Sequence, residues 1–346
     1  MRFQKTRLAS AEQGYSITSL PILGQQRIIA APEGPGPTMA FDLPGLEPRI
    51  LTDGPGGCMG FAADPGRDDT FLAIMGFYPV FQAEGAGIDR YRAVDGLSLP
   101  WRGERVLDLP FVHRFCTVGN GAMDFVVAAT ICGGKDSRDD WSQAGAVYAV
   151  ELPAEEGEAW RPRPILEGIH RNHGMLVGSQ RGGPTVYISG DEGIFALDVP
   201  PADSADWGVH QIIDRPISEF ALIDLDGDGR DEIAVIEPFH GPAMTIYKEV
   251  DGAWQPILSD ELAFGHGLWA GILAGAPAVI ASNRDAGKDL VCWRVTSTDP
   301  FTMEAQVIDA GAGATNVAVI DDDGGQALIT ANLEHAEYAL YRVDAA

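Results

Sequence analysis

The sequence predicts an all-β fold: a seven-bladed β-propeller whose N-terminal strand closes the last blade. Two observations carry that prediction. The first is a short phrase, an Ile or Val pair ending in an acid, that recurs at Pro48–Asp53, Glu104–Asp108, Arg163–Glu167, His210–Asp214, Gln255–Asp260 and Ala305–Asp309. Its spacing of roughly 45–60 residues is that of propeller blades or solenoid repeats. The second is the pair of incomplete ends. Residues 3–8 (FQKTRL) read as an outer strand with no inner strands before it, and YRVDAA ends on a third strand with no fourth. Joining the two ends completes a seventh blade and closes a ring.

Each element follows in order. Blade one runs from Tyr15 through GYSITSL, QRIIAA and TMAFDL; Met59 leads blade two into GFAADPGRDDTFLAI. His113 is followed by RFCTVG and FVVAA, His173 by GMLVG and TVYIS, and Glu219 by FALIDLDGDGRDEIAVI. His266 leads GLWAGI and AVIAS, and Asn316 leads VAVIDDDGGQALITA. Third strands close the units: IDRYRAV, AVYAVEL, GIFALDV, MTIYKEV, LVCWRV and YALYRV. Four short strands with tight turns make a blade, and no long window shows the 3.6 period of a helix. The expectation is one domain over residues 1–346.

Composition limits the partners. With 50 acidic against 24 basic residues the net charge is −26, so the surface repels nucleic acid and anionic lipid. No window approaches the ~20 apolar residues of a membrane span. The N-terminus has no apolar stretch behind its basic residues, so no secretory signal is expected. The four cysteines form no CxxC pair and fall in apolar runs, as reduced core thiols of a cytoplasmic protein do.

The most specific motif is Asp224-Leu-Asp226-Gly-Asp228-Gly-Arg-Asp-Glu232 in blade five. Alternating carboxylates and two glycines suit a hard cation, calcium above all, held by Asp224, Asp226, Asp228 and Glu232. Val235 stands where a helix–loop–helix site needs glutamate, and the flanks read as strands. The loop resembles the FG-GAP or VCBS propeller repeat, whose DxDGDGxxD/E loops hold calcium. Its expected role is to staple a turn, because it lies on the face opposite the loops leading into the inner strands.

Those leading loops carry the expected chemistry. Aligned by distance to the second strand, the rim reads Tyr15, Met59, His113, His173, Glu219, His266 and Asn316. Three imidazoles with Glu219 beside them make a divalent transition-metal site, zinc or else manganese, with open positions. The alternative is a water-filled polar channel. Loops on the same face add Tyr78, Lys135, Arg284 and Lys288 as substrate contacts, and His170, His240 and His335 as proton-transfer groups.

The HRNHG and FGHGLW segments on an FG-GAP-type propeller resemble fungal aldos-2-ulose dehydratase and related bacterial sugar dehydratases. That resemblance implies a channel metal and dehydration or isomerisation of keto-sugars. The expected activity is a metal-dependent lyase or isomerase on a small carbohydrate. The alternatives are a carbohydrate-binding, lectin-like propeller and a metal-dependent hydrolase such as a lactonase.

Overall fold

Second strands rich in Val, Ile and Ala that do not alternate with polar residues need cover on both faces. Thr70–Met75 and Thr185–Gly190 are buried at every position, and Asp124–Thr130 at every position after the first. Sheets stacked face to face around an axis supply that cover. A computed structural model describes residues 1–344 except 99, 154, 156, 180 and 323. Its 28 strands form seven four-stranded antiparallel sheets, with no helix among the described residues.

Six sheets take four consecutive strands each. The seventh joins Ala314–Asp322, Gly325–Asn332 and Glu337–Asp344 to the N-terminal strand Arg2–Ser10. Arg2 lies opposite Asp344 and Ser10 opposite Glu337. The incomplete ends therefore complete one blade, as the sequence predicts. The seven innermost strands are Gly14–Ile22, Gly60–Ala63, Val112–Gly119, Met175–Gly178, Glu219–Ile223, Gly265–Leu273 and Ala314–Asp322. Each touches the next, and the last touches the first, so the architecture is a closed seven-bladed β-propeller.

The core is divided among the interfaces between blades. Between blades seven and one, Ile28 and Phe41 meet Ile329, Tyr338 and Leu340, all fully or almost fully buried. Each such side chain contributes about 1.5–3 kcal/mol on leaving water, so the closing interface is as apolar as any other.

One irregularity positions the site. Where the first strand begins in blades one, three and seven, the register slips past a single residue: Tyr15, His113 and Thr315. In blade six the slip spans His266 and Gly267. A bulged residue leaves the pleat and is re-aimed, which frees these side chains from the sheet at the rim of the axis. The blade-seven member is thus Thr315 rather than Asn316, one residue earlier than sequence spacing indicates. Thr315 Oγ1 bonds the carbonyls of Gly14, Tyr15 and Ala331, each at 3.1 Å, while Asn316 lines the channel.

Candidate functional site: a histidine cluster on the propeller axis

The rim histidines meet at the axis. His173 lies with its ring centroid 4.9 Å from His113, 5.0 Å from His266 and 4.9 Å from His240. His113, His173 and His266 are at most 2% exposed. His240 comes from the loop after the second strand of blade five, Glu232–Glu237. Its ring packs between Phe239, at 4.0 Å, and Phe264, at 4.5 Å.

The cluster whose ligand atoms all lie within 4.8 Å of one another is His173, His240 and His266. Two members match the expected metal set. The third is His240, which sequence reasoning placed among the proton-transfer groups, and His113 stands beside the cluster instead of in it. Neither shift was legible, because a loop's reach across the axis is not encoded in spacing along a strand.

Hydrogen bonds fix how the imidazoles present themselves. His266 Nδ1 lies 2.7 Å from the Thr315 carbonyl oxygen, so that nitrogen carries the proton. His173 Nδ1 lies 2.6 Å from Glu219 Oε1 and 3.4 Å from Arg114 Nη2; protonated it faces the carboxylate, and unprotonated it accepts from the guanidinium. In His266 Nε2 is left with its lone pair free, and in His173 the same holds when Nδ1 carries the proton. His173 Nε2 and His240 Nε2 are 3.3 Å apart. Either His240 donates its proton across that gap, or both nitrogens turn lone pairs on one point.

Burial, reinforced by Arg114, pushes His173 and His113 well below the ordinary imidazole value; for His266 burial is followed by Arg284. His240 is pushed down to about 3, again by burial first and Arg284 next. All four are neutral near pH 7, the form in which imidazole binds metal.

Glu219 serves differently from the expected fourth ligand. Arg114 Nη2 donates to its Oε1 at 2.8 Å, and Arg114 Nε donates to the His173 carbonyl. Burial raises the Glu219 carboxyl, and Arg114 opposes that rise. The carboxylate therefore orients His173 and neutralises Arg114. Arg114 and Glu219 also line the central channel below the histidines, a cavity of about 240 Å³ shared with Met59, Met175 and Asn316. Sequence reasoning passed over Arg114 although it follows His113 directly, because a lone arginine in a strand carries no motif.

The remaining predicted residues are dispersed. His170 is held by Glu192, with Nδ1 at 2.7 Å from Oε1, and makes no contact with the triad. His335 sits with Lys5, Asp309 and Glu337 at the closing blade. That place excludes it from proton transfer at the axis. Lys288 is ion-paired to Glu334 at 2.7 Å, so it is not a free cation for substrate. Tyr78 is 39% exposed. Lys135 lies 3.2 Å above the Trp141 ring, and Arg284 lies 5.7 Å from the Phe264 ring.

In the blade-five loop, Lys248 brings its ammonium to the expected calcium position. Nζ lies 2.6 Å from Asp226, 2.7 Å from Asp228 and 2.8 Å from Glu232. Asp224 instead accepts the backbone N–H groups of Gly227 and Gly229. Blade two repeats the arrangement with arginine: Arg90 Nε donates to Asp64 at 2.8 Å. A larger groove of about 1200 Å³ is lined by Asp64, Arg90 and Trp160 among others and contains none of the axial histidines. The convergent imidazoles outweigh cavity size in locating the site.

Fold and site together define a seven-bladed β-propeller with a histidine cluster on its axis. No protein-family profile matches the chain, the FG-GAP type included. No curated protein matches it by sequence either. Among solved structures it resembles the β-propeller domain of Myceliophteria thermophila Cps50 (Swd1), with a TM-score of 0.61 and 13% identity over 99% of this chain and 100% of that one. It also resembles a putative 6-phosphogluconolactonase of Bacteroides uniformis, with a TM-score of 0.55 and 11% identity over 88% and 84%. A second, from Bacteroides fragilis, gives 0.53 and 12% over 92% and 87%. At such identities the likeness concerns the fold.

Proposed function

We propose that this propeller is a metal-dependent lyase or isomerase of keto-sugars and related polyhydroxylated carbonyl compounds, with zinc held by His173, His240 and His266. The observation that carries the reading is the 3.3 Å separation of the His173 and His240 Nε2 atoms. Two nitrogens each 2.0–2.1 Å from a tetrahedral zinc stand about 3.3–3.4 Å apart. Three clusters of metal-ligating side chains occur among the described residues. Two of them already enclose a lysine ammonium, Lys248 in one and Lys5 in the other. The axial cluster encloses no cation of its own. Its all-nitrogen donor set favours zinc over the more oxygen-seeking manganese.

When bound, the cation would polarise a substrate carbonyl and acidify the neighbouring C–H. The protein's own groups do the rest. The Thr315 carbonyl holds the His266 ring in one tautomer, and Glu219 and Arg114 flank Nδ1 of the His173 ring. His113 is the candidate base, since its buried Nδ1 has no hydrogen-bond partner. In an elimination the α-proton passes to that base, which returns it to the β-hydroxyl as that group departs as water. The exposed rings of Tyr78 and Phe264 offer apolar surface for a sugar face.

Elemental analysis of the purified protein should find about one transition metal per chain, and His240→Ala should lose most of it. Keto-sugars in deuterated water should then exchange the α-hydrogen and yield a product absorbing in the near ultraviolet. His113→Gln should abolish exchange while keeping the metal. A protein without transition metal and insensitive to chelators would sink the reading. Acid release from a sugar lactone without exchange would transfer it to the hydrolase alternative, the activity named for the two Bacteroides propellers.

A further inference from the structure

Three cations stand over aromatic rings beside the histidine cluster: Lys135 over Trp141, Arg171 over Phe239 and Arg284 beside Phe264. Trp141 touches Phe239, and Phe239 touches both His173 and His240; Phe264 touches His240. Each cation is thus within one or two rings of the triad. Arg171 is neutralised by Asp191 at 2.6 Å. The other two make no ion pair among the described residues, although Asp140 and Asp139 act on Lys135 through space. Lys135 Nζ donates only to the Arg138 carbonyl among the described residues. The Arg284 guanidinium makes no hydrogen bond or ion pair with any described residue and lies 5.7 Å from the centre of the Phe264 ring.

Two cations without such an ion pair at one address are notable in a chain with 50 acidic and 24 basic residues. Carboxylates were abundant enough to pair them, and elsewhere they do: Arg90, Arg105, Arg181, Lys248 and Lys288 all have acidic partners. Glu33, from the loop after the second strand of blade one, faces Arg284. It acts on Arg284 through space, beyond ion-pair distance, and burial raises its carboxyl so that less charge is offered. Arg284 stands one ring from the triad, since its neighbour Phe264 lies 4.5 Å from His240, whereas Lys135 stands two rings away, over Trp141 and then Phe239.

We infer that the site takes a sugar bearing an oxyanion, a carboxylate or a phosphate, which Arg284 grips while Lys135 marks the outer approach. This rests on the proposed reading of the triad as the reactive centre. A guanidinium presents parallel N–H donors that match a carboxylate or phosphate edge. Stacking beside Phe264 leaves that edge free for ligand. The half-exposed Phe264 ring, 41% open to solvent, gives the sugar a place to lie between Arg284 and His240.

Calorimetry with matched ligands tests this: D-glucose, D-glucuronate and D-glucose 6-phosphate, and D-galactose with D-galacturonate. At least one anionic sugar should bind about tenfold or more tightly than its neutral parent. Arg284→Gln should erase that preference, so that the anionic sugar loses about tenfold more affinity than its neutral parent, while Arg284→Lys restores part of it. Preference for the uronates assigns a carboxylate, and preference for the sugar phosphate alone assigns a phosphate. Equal affinity for neutral and anionic sugars, no binding of any anion, or an Arg284→Gln protein that keeps the preference would each overturn the inference. Lys135→Gln, which lies outside the triad's contacts, gives a second variant should Arg284→Gln fold poorly; a smaller loss of anion preference is expected. Metal content measured on the same samples separates the two ideas. A metal-free protein that still prefers anions refutes the triad reading alone, and a zinc protein without that preference refutes the Arg284 assignment alone.

Discussion

At the residue scale, three imidazoles become a possible ligand set only because other groups settle their protons. The Thr315 carbonyl on His266 Nδ1 leaves that ring's Nε2 an acceptor, and the Glu219 carboxylate, 2.6 Å from His173 Nδ1, favours a proton there and the same outcome for His173. Glu219→Gln removes the charge that favours this tautomer of His173 and strips Arg114 of its acidic partner. Zinc affinity should fall about 10–100-fold, the usual effect of losing such an outer partner. A competitive chelator titration reads this directly, and the unfolding temperature of the zinc-free protein serves as control. An unchanged affinity would mean that Glu219 serves Arg114 only. His113, His173 and His266 could be read from the chain because each stands at the same offset from its second strand. The place of His240 in the cluster, and the roles of Phe239 and Arg114, could not, because they come from neighbours one or two blades away.

At the scale of single elements, the blade-five loop shows how a motif can be legible and its occupant not. The acidic turn is plain in Asp224–Glu232, yet Lys248 lies 16 residues beyond Glu232 on the third strand, Ala243–Val250. Only the antiparallel pairing of Ile233 with Tyr247 brings the ammonium back over the carboxylates. Arg90 on the third strand of blade two reaches Asp64 by the same geometry. A third-strand cation thus serves where calcium would otherwise be expected. Glu232 is fully buried and Lys248 is 22% exposed at its side chain. Lys248→Met should therefore cost on the order of 2–3 kcal/mol, less than a fully buried pair. Millimolar calcium should raise the melting temperature of Lys248→Met clearly and that of the unaltered protein little, since only the variant has room for the ion. A large calcium stabilisation of the unaltered protein would show that the ion displaces the lysine.

At the scale of the whole molecule, the ring depends on a strand contributed from the opposite end of the chain. The repeated phrase and the two incomplete ends were enough to read seven blades and their closure, because both are patterns along the chain. The bulges that turn Tyr15, His113 and Thr315 out of register left no such pattern and were not legible. Closure itself combines a backbone ladder with an ionic latch. Strand Arg2–Ser10 pairs along Glu337–Asp344, and Lys5 binds Asp309 of blade six at 2.7 Å and Glu337 of blade seven at 2.5 Å. Tyr341 adds its hydroxyl to Asp309 at 2.7 Å. Removing residues 1–10 strips the outer edge of blade seven and leaves Asp309 and Glu337 without Lys5. An unpaired strand edge recruits other chains, so the truncated protein should self-associate on size-exclusion chromatography and lose its cooperative thermal transition. A synthetic peptide of residues 1–10 added in excess should restore the elution volume of the unaltered protein, whereas a version with Met in place of Lys5 should do so less well. Should the truncated protein show no added self-association and an unmoved melting temperature, closure would reside in the apolar contacts between blades seven and one, with the strand and its lysine only an outer seal.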